Sequence, residues 1–494
     1  MTDSSRSNRI LLLYPPGSVY QRGEDRCQSN VEASSASSTR SCNDLGYAAA
    51  ILREHGYEPV IRDYQTEKYD QTRALQEIVD YQPELVMISV TYGSVYKDLV
   101  FAQTLRERCT EAGNNNMAIV LKGAIFFDPP EAILKGLDAS VADYLIGGEV
   151  DTSIGLIADY ALHAEGTIAT IPAILYKTPD GTFHKTRFDT WNTELDDIPF
   201  PARDLMDISL YVRPDTGDPM ATIQTSRGCY GSCTFCMAPT VSGRKVRFRS
   251  PQNVFAEIEE CFSTYGIKDF FFKSDTFTAN ATWVQELSEL IVASDLAGKI
   301  TFSATSRVRP LQKETLQYLK DAGCFMISFS YESGSDETLL KTRKGATTFN
   351  NLQAAKWAKE VGLPVYGFFT IGFPWENETH LVQTRKHIFK LKPEYLEVHI
   401  ALPYWGTHLH ELYSQTGALE DCPADTDSFE SNITGTRALP IEKLRKYRKR
   451  ILLGYYLRPQ YVYTKLVPTF RNPRAFVGYI SYGWRLIWNL LREP

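Results

Sequence analysis

Short apolar runs alternate with amphipathic helical patterns along the first part of the chain. Five runs bounded by Gly, Pro or polar residues are predicted as strands: 10–14, 59–64, 85–91, 118–121 and 144–146. Between them, segments such as 43–55 and 96–109 have the apolar spacing of helices that face a core. Buried strands separated by helices indicate a parallel, doubly wound sheet, so residues 1–190 are predicted to form a Rossmann-like α/β domain.

The predicted strands end in aromatic, small or polar residues, where parallel sheets bind ligands. Tyr14, Ser89, Gly123, Gly147 and Glu149 lie at or just after these ends. Small residues there let a ligand approach the backbone closely. A polar, Ser-rich segment follows the first strand and is predicted to form a long loop over the same edge.

A second strand–helix series begins at residue 221. Six strands are predicted: 222–225, 269–273, 301–305, 325–331, 365–370 and 395–401. Six units are too few for a complete eight-unit barrel but fit a partial (β/α)6 barrel over 221–416, whose site would lie at the carboxyl ends of the strands. Residues 191–220, rich in Pro and Asp, are predicted to be the linker.

Charge is distributed unevenly along the 494 residues. The chain as a whole carries −6, which argues against nucleic acid as a partner. By contrast, residues 437–494 hold thirteen Lys and Arg against two acids and contain many aromatic residues. We expect a mainly helical, basic and aromatic extension over 417–494, with possible peripheral contact to the inner membrane face. No run of about 18 uncharged apolar residues predicts a spanning helix, and a cytoplasmic location is expected.

Three of the nine cysteines lie close together, in the segment TSRGCYGSCTFC. Cys229, Cys233 and Cys236 have the spacing C-x3-C-x2-C, and three thiolates on one loop can bind three irons of a [4Fe–4S] cluster. The fourth iron would then be open to a small ligand. A zinc site is the alternative, but structural zinc usually takes four ligands. The nearest other cysteine is Cys261, on a predicted helix.

This motif, placed after the first strand of a βα series, resembles that of the radical SAM superfamily. Further segments resemble the family's strand-end motifs: KSDTFTAN (273–280), TSRVRP (305–310), SYESGSDETLLKTRKG (330–345), TIGFPWE (370–376) and LPYWGTHL (402–409). The usual DDxF is changed to Ser-Asp-Thr-Phe, and Trp405 replaces a Pro. The resemblance implies S-adenosylmethionine (SAM) contacts from five residues: Phe235, Asp275, Arg307, Glu332 and Ser333.

A parallel-sheet domain ahead of such a barrel resembles the cobalamin-binding subfamily, which includes class B methylases, hopanoid methylases and the anaerobic Mg-protoporphyrin cyclase. The resemblance implies cobalamin contacts from Tyr14, Ser89, Gly123, Gly147 and Glu149. A D-x-H-x-x-G loop is absent, so no protein imidazole is expected below the cobalt. A nucleotide-binding or purely structural Rossmann-like module is the alternative for this domain.

The resemblance implies a radical enzyme that uses a [4Fe–4S] cluster, SAM and cobalamin. The leading hypothesis is C-methylation of an unactivated carbon through a 5′-deoxyadenosyl radical and methylcobalamin. The substrate would be hydrophobic, isoprenoid or tetrapyrrole-like, or a natural product, and the electron donor a flavodoxin or ferredoxin. The alternatives are a radical cyclase or oxidase without methyl transfer, an RNA methylthiotransferase, and a corrinoid- or redox-sensing protein without enzymatic activity.

Overall fold

Two parallel sheets, each covered by helices, follow one another along the chain. The computed structural model describes residues 6–20, 39–129, 133–134, 141–213, 215–415, 436 and 438–469. The described residues confirm the predicted α/β fold class, with a doubly wound domain ahead of a partial barrel.

The first sheet has seven strands in the order β2-β1-β3-β4-β5-β6-β7. Its strands are β1 (Arg6–Tyr14), β2 (Tyr57–Asp63), β3 (Leu85–Ser89), β4 (Ala118–Lys122), β5 (Tyr144–Ile146), β6 (Ile174–Lys177) and β7 (Phe183–Lys185). Its described helices include α1 (Asn43–Glu54), α2 (Gln71–Tyr81), α3 (Val95–Glu111) and α4 (Ile154–His163). Strands β1 to β5 are parallel, and the strand order reverses between β1 and β3, where open α/β sheets bind ligands.

Alternate residues of β1 enter different hydrophobic clusters on the two faces of this sheet. Leu11 and Leu13 pack with α2 and α3, whereas Ile10 and Leu12 pack with α1 and α4. A strand buried on both faces reads as a continuous apolar run, which is why β1 was predictable. The antiparallel edge strands β6 and β7 were not predicted. Their turn, Thr178 to Gly181, carries the Pro-Asp-Gly signal of a hairpin.

The segment 191–220 connects the two sheets but is packed against both, unlike a free linker. Tyr211 is 2% exposed and donates a hydrogen bond to Asp63 at the end of β2, 2.7 Å away. Arg203 is also 2% exposed and pairs with Glu257 on a barrel helix. Apolar side chains of this segment complete the core of the first domain: Leu195, Ile198, Ala202 and Met206.

The second sheet has six parallel strands in the order β15-β14-β13-β12-β11-β8, and all six were predicted to within two residues at each end. The strands are β8 (Met220–Gln224), β11 (Asp269–Lys273), β12 (Thr301–Ser306), β13 (Cys324–Glu332), β14 (Val365–Ile371) and β15 (Tyr395–Ile400). A two-stranded antiparallel ribbon, β9 (Ser226–Arg227) and β10 (Arg247–Phe248), follows β8. The helices up to β15 are α5 (Ala238–Val241), α6 (Pro251–Tyr265), α7 (Ala281–Ala293), α8 (Lys313–Asp321), α9 (Asp336–Lys341), α10 (Thr348–Val361) and α11 (Glu378–Leu391).

Three helices after β15 are described: α12 (His408–Gln415), α13 (Ile441–Tyr456) and α14 (Pro459–Thr469). Helix α13 contains the basic run 443–450, yet it packs on the barrel. Leu444 and Ile451 enter the barrel core, and the guanidinium of Arg448 is buried and donates to the Val398 carbonyl at 2.8 Å. The aromatic segment 470–494, on which the predicted membrane contact depends, lies outside the described residues. None of the described helices combines the length and apolar character needed to cross a bilayer.

Candidate active site

The cysteine loop begins and ends at the β9–β10 ribbon, at the carboxyl end of β8. Gly228 precedes the first cysteine with φ +86°, and a Cβ at this position would lie 2.3 Å from the Lys245 carbonyl oxygen, so only Gly fits. Further along, Thr234 bonds through its backbone to Thr342, in the loop after α9, and to Leu409, on α12. These backbone bonds hold the loop at the predicted end of the barrel.

The environment of the three thiols fits a cluster. Cys229 is 6% exposed, and its sulfur accepts the Gly231 N–H at 3.4 Å. Cys233 Sγ lies 3.4 Å from Nη1 of Arg307. Within the described residues, no three His, Cys, Asp or Glu side chains converge on a single metal-ion position. A [4Fe–4S] cluster does not require that convergence, because each thiolate binds a different iron.

The other described cysteines have core or structural environments. Burial raises the pKa of Cys261 to about 12, of Cys324 to about 12 and of Cys109 to about 11. These thiols therefore stay protonated near neutral pH, whereas metal ligation needs the thiolate. Cys42 is within 3.2 Å of the Tyr211 hydroxyl. Cys261, the nearest additional ligand considered for zinc, lies inside the apolar barrel core.

Arg307 and Glu332 lie at the ends of β12 and β13, above the barrel. Arg307 contacts Cys233 and also donates to the Lys344 carbonyl. Glu332 has φ +62°; it accepts hydrogen bonds from Lys344 Nζ at 2.8 Å and from the Thr370 hydroxyl at 3.0 Å. The backbone of this Glu is thus held in the left-handed region, a strained conformation for a non-Gly residue. The pair with Lys344 is buried.

The remaining predicted SAM residues differ in what they present to the site. Asp275, after β11, is half-buried. The Phe235 ring is half-buried and lies 5.7 Å from the Phe373 ring. The Ser333 side chain is fully buried, and its hydroxyl contacts that of Thr384 at 3.1 Å, so this hydroxyl packs against α11. Arg307 therefore contacts the cysteine loop, whereas the Ser333 hydroxyl is engaged by Thr384 of α11.

A buried polar cluster lies at the reversal point of the first sheet. Asp44, in the first turn of α1, accepts hydrogen bonds from the hydroxyls of Tyr14 at 2.9 Å and Ser89 at 2.6 Å. Lys122 Nζ lies 3.5 Å from the same carboxylate. Tyr14 and Ser89 were predicted as ligand contacts, whereas Asp44 and Lys122 were not. Asp44 could have been noticed as an acid within an otherwise apolar helix face, which is costly to bury without partners.

The two predicted glycine contacts lie where backbones approach each other closely. A Cβ at Gly123 would lie 2.7 Å from the Val90 carbonyl oxygen. At Gly147 it would lie 2.3 Å from the backbone of Phe126 and Phe127. Both residues therefore allow the loops after β3, β4 and β5 to pack together at the ligand-binding edge of the sheet.

Glu149 joins the first domain to the cysteine loop. Its carboxylate contacts Arg247 Nη2 at 2.5 Å and Arg227 Nη1 at 3.2 Å. Arg227 also contacts Asp151 at 2.6 Å. The two Arg residues lie directly opposite each other in the β9–β10 ribbon, and all four side chains are buried. We call Glu149, Asp151, Arg227 and Arg247 the ribbon clamp; in it, two carboxylates neutralise two guanidinium groups.

The loop after β15 also contacts the first domain. The Tyr404 ring packs edge-on against Tyr92 at 4.6 Å, and the Tyr92 hydroxyl lies 2.9 Å from the Trp405 amide. Leu402 and Tyr404 belong to the same hydrophobic cluster as β1 and β3 residues. With the ribbon clamp, these contacts bring the ligand-binding edge of the first sheet to the strand-end face of the barrel.

Comparison with known proteins agrees with this geometry. The Radical SAM superfamily model matches residues 223–388. An uncharacterised methyltransferase of Pyrococcus horikoshii is 28% identical over 84% of this chain and 88% of its own length. Cytidylyl-2-hydroxyethylphosphonate methyltransferase of Streptomyces wedmorensis is 26% identical over 75% of this chain and 74% of its own, and the hopanoid C-3 methylase of Methylococcus capsulatus is 25% identical over 74% and 67%.

Solved structures show the same fold. The cobalamin-dependent SAM radical enzyme OxsB superimposes with a TM-score of 0.64 at 18% identity, covering 83% of this chain but only 55% of OxsB. The radical SAM methyltransferase TsrM of Kitasatospora setae superimposes with a TM-score of 0.63 at 17% identity. The match covers 84% of this chain and 76% of TsrM. With its three-cysteine loop at the end of the first barrel strand, the chain carries a domain over residues 223–388 that matches the Radical SAM superfamily.

Proposed function

We propose that this protein is a cobalamin-dependent radical SAM enzyme that methylates an unactivated carbon. The observation that carries the proposal is the apposition of two strand-end faces, one bearing the cysteine loop and the other the reversal point of a doubly wound sheet. The relatives with the broadest coverage named above are methyltransferases, which supports methyl transfer.

In this proposal, Cys229, Cys233 and Cys236 hold a [4Fe–4S] cluster with one open iron for SAM. When bound, the cluster and SAM supply a 5′-deoxyadenosyl radical, and cobalamin supplies the methyl group. The chain itself positions the reactants and excludes water. Arg307 places a positive charge beside the cysteine loop. Phe235 is part of that loop, and Asp275 follows β11, the strand that pairs with β8.

The first domain fits a large planar cofactor at its ligand-binding edge. Gly123 and Gly147 let the loops after β3, β4 and β5 pack together at this edge, because a Cβ at either position would meet neighbouring backbone. Tyr14 and Ser89 are both bonded to Asp44, so their side chains form a fixed polar floor. Glu149 links this edge to the cysteine loop, because its carboxylate pairs with Arg227 and Arg247, which flank that loop. Cobalamin would lie between this edge and the barrel.

Isotopic labelling tests the proposal directly. The anaerobically purified, cluster-loaded protein is incubated with cobalamin, a reductant and methyl-labelled SAM, and both 5′-deoxyadenosine and product mass are measured. Methyl transfer requires a labelled product. Formation of 5′-deoxyadenosine with an unlabelled, oxidised or cyclised product would favour the radical cyclase instead; the relatives also include an anaerobic Mg-protoporphyrin cyclase.

Cysteine variants assign the site. Cys229→Ala, Cys233→Ala and Cys236→Ala are each expected to abolish SAM cleavage and to reduce the iron content. Cys261→Ala is the matched control, because its thiol lies in the barrel core and is expected to leave the iron content unchanged. A corrinoid- or redox-sensing protein would cleave no SAM, whether or not these cysteines were replaced. A flavodoxin or ferredoxin is the proposed electron donor.

A further inference from the structure

The inner face of the barrel is open to solvent at its upper end. Residues that point to the helices, such as Ile327 and Phe329 of β13, are fully buried in the barrel core. Positions on the opposite, inner face alternate with them; Ser328 is buried, whereas Ser330, nearer the strand end, is partly exposed. The exposed inner positions occur on five adjoining strands: Lys273, Thr305, Ser330, Phe368, Thr370 and His399. They lie towards the carboxyl ends of the strands, the end of the barrel at which the cysteine loop follows β8.

Hydrogen-bonding groups occur along the inner face of the adjoining strands β8, β11, β12 and β13. Gln224 is the last inward residue of β8, and Thr305 and Ser328 are paired in register on β12 and β13. Further hydroxyls on the inner face are Ser303 and Ser330. Of these groups, Thr305 and Ser330 are partly exposed, whereas Gln224, Ser303 and Ser328 are already buried. A molecule that covered Thr305 and Ser330 without polar groups would remove their hydroxyls from water without replacing their hydrogen bonds, at a cost of about 1–3 kcal/mol each.

Two cations lie along the inner face of β11. Lys273 is its last residue and pairs in register with Gln224. The Arg40 guanidinium lies 3.1 Å from the ring centroid of Phe271, two residues earlier on the same face and therefore about 7 Å along the strand. Both cations also contact other groups of the chain, which a bound anion would join or displace.

The wall formed by β14 and β15 differs. The rings of Tyr366 and Phe368 lie 4.5 Å apart, and His399 lies 6.0 Å from Phe368. This side can accept the less polar part of a substrate, whereas the β11 side can accept charge. The two walls together favour a molecule with one anionic end, of a size enclosed by six strands.

We propose that the substrate is a small polar molecule with an oxyanion, a phosphoryl group or a carboxylate, bound at Lys273. This proposal rests on the proposed function and names its substrate class. It differs from the isoprenoid or tetrapyrrole-like substrate expected from the sequence, which stays a prediction because the aromatic segment 470–494 lies outside the described residues. The hydrocarbon chain of an uncharged isoprenoid would offer no polar group to Lys273 or to the partly exposed hydroxyls of Thr305 and Ser330.

Equilibrium binding tests this inference without turnover. The full chain, loaded with cluster and SAM, is titrated calorimetrically with inorganic phosphate, with acetate and with farnesol, an uncharged isoprenoid alcohol. We expect saturable binding of phosphate or acetate, and the arm that binds identifies the oxyanion. Lys273→Gln should weaken that binding by about tenfold or more, since a charge-assisted hydrogen bond is lost, and Lys273→Arg should preserve most of it.

Lys299→Gln is the matched control, because Lys299 is exposed at the opposite end of the barrel, ahead of β12. It should bind the oxyanion as the unaltered protein does. Circular dichroism and iron content establish that each variant is folded and loaded. The proposal is overturned if neither oxyanion binds, if Lys273→Gln binds equally well, or if farnesol binds and excludes the oxyanion. If the oxyanion binds but the labelling assay yields no product that carries the methyl group of SAM, the proposed function is overturned instead.

Discussion

Replacing Glu149 with Gln removes one negative charge from the buried ribbon clamp. In the native protein the carboxylate contacts Arg247 at 2.5 Å and Arg227 at 3.2 Å, and it is 3% exposed. Asp151 continues to neutralise Arg227, but among the clamp residues Arg247 then keeps no anionic partner. Removing one member of a buried ion pair costs about 3–5 kcal/mol, because the remaining charge stays desolvated. We expect Glu149→Gln to lose that much free energy of unfolding.

Urea unfolding, followed by tryptophan fluorescence under anaerobic conditions, measures the loss. The matched control is Asp204→Asn, which removes an Asp–Arg pair of similar length, 2.6 Å to Arg53, on the exposed surface. Surface pairs contribute at most about 1 kcal/mol. Because Arg227 and Arg247 bracket the cysteine loop, Glu149→Gln should also retain less iron, whereas the control should not. Equal losses of stability in the two variants would refute the reasoning.

Three further predictions concern the strand-end loops. Burial raises the pKa of Glu376 to about 7, so the native state holds this proton more tightly than the unfolded chain does. The free energy of unfolding should therefore fall as pH rises from about 4.5 to about 7. Glu376→Gln should lose that pH dependence when unfolding is measured across this range. Arg307→Gln removes a positive charge beside Cys233 and should lower the midpoint potential of the reconstituted cluster in a redox titration followed by electron paramagnetic resonance. Gly334→Ala would place a Cβ 2.5 Å from that of His387 and should lower the thermal midpoint, whereas Gly454→Ala, in open helical surroundings, should not.

The parallel strands of both sheets were predictable because each has a strong local signal. Parallel strands buried on both faces read as continuous apolar runs, and β5 and β11 were predicted with their observed bounds. The cysteine loop was predictable for a different reason: thiolates at that spacing serve few purposes other than metal or cluster binding.

Partnerships between distant residues could not be read from the chain. Glu149 and Arg247 are 98 residues apart, and no local pattern links them. Likewise, Asp44 meets Tyr14, Ser89 and Lys122 only after three strands and a helix have come together. Glu149 remains a predicted cobalamin contact, but its position in the clamp shows how a strand-end acid can serve the junction between domains. The antiparallel edge strands β6 and β7 were missed because they have no continuous buried apolar run: β6 has two buried positions and β7 has none.

The packed segment 191–220 has a consequence for the construction of chimaeras between related enzymes. Exchange of the first domain alone would need a junction on one side of this segment. A junction at its start would separate Tyr211 from Asp63, and one at its end would separate Arg203 from Glu257. In either chimaera, one surface of the segment would therefore face a domain from a different enzyme. Functional recombination in this architecture should succeed only when the segment and both of its contact surfaces are inherited together.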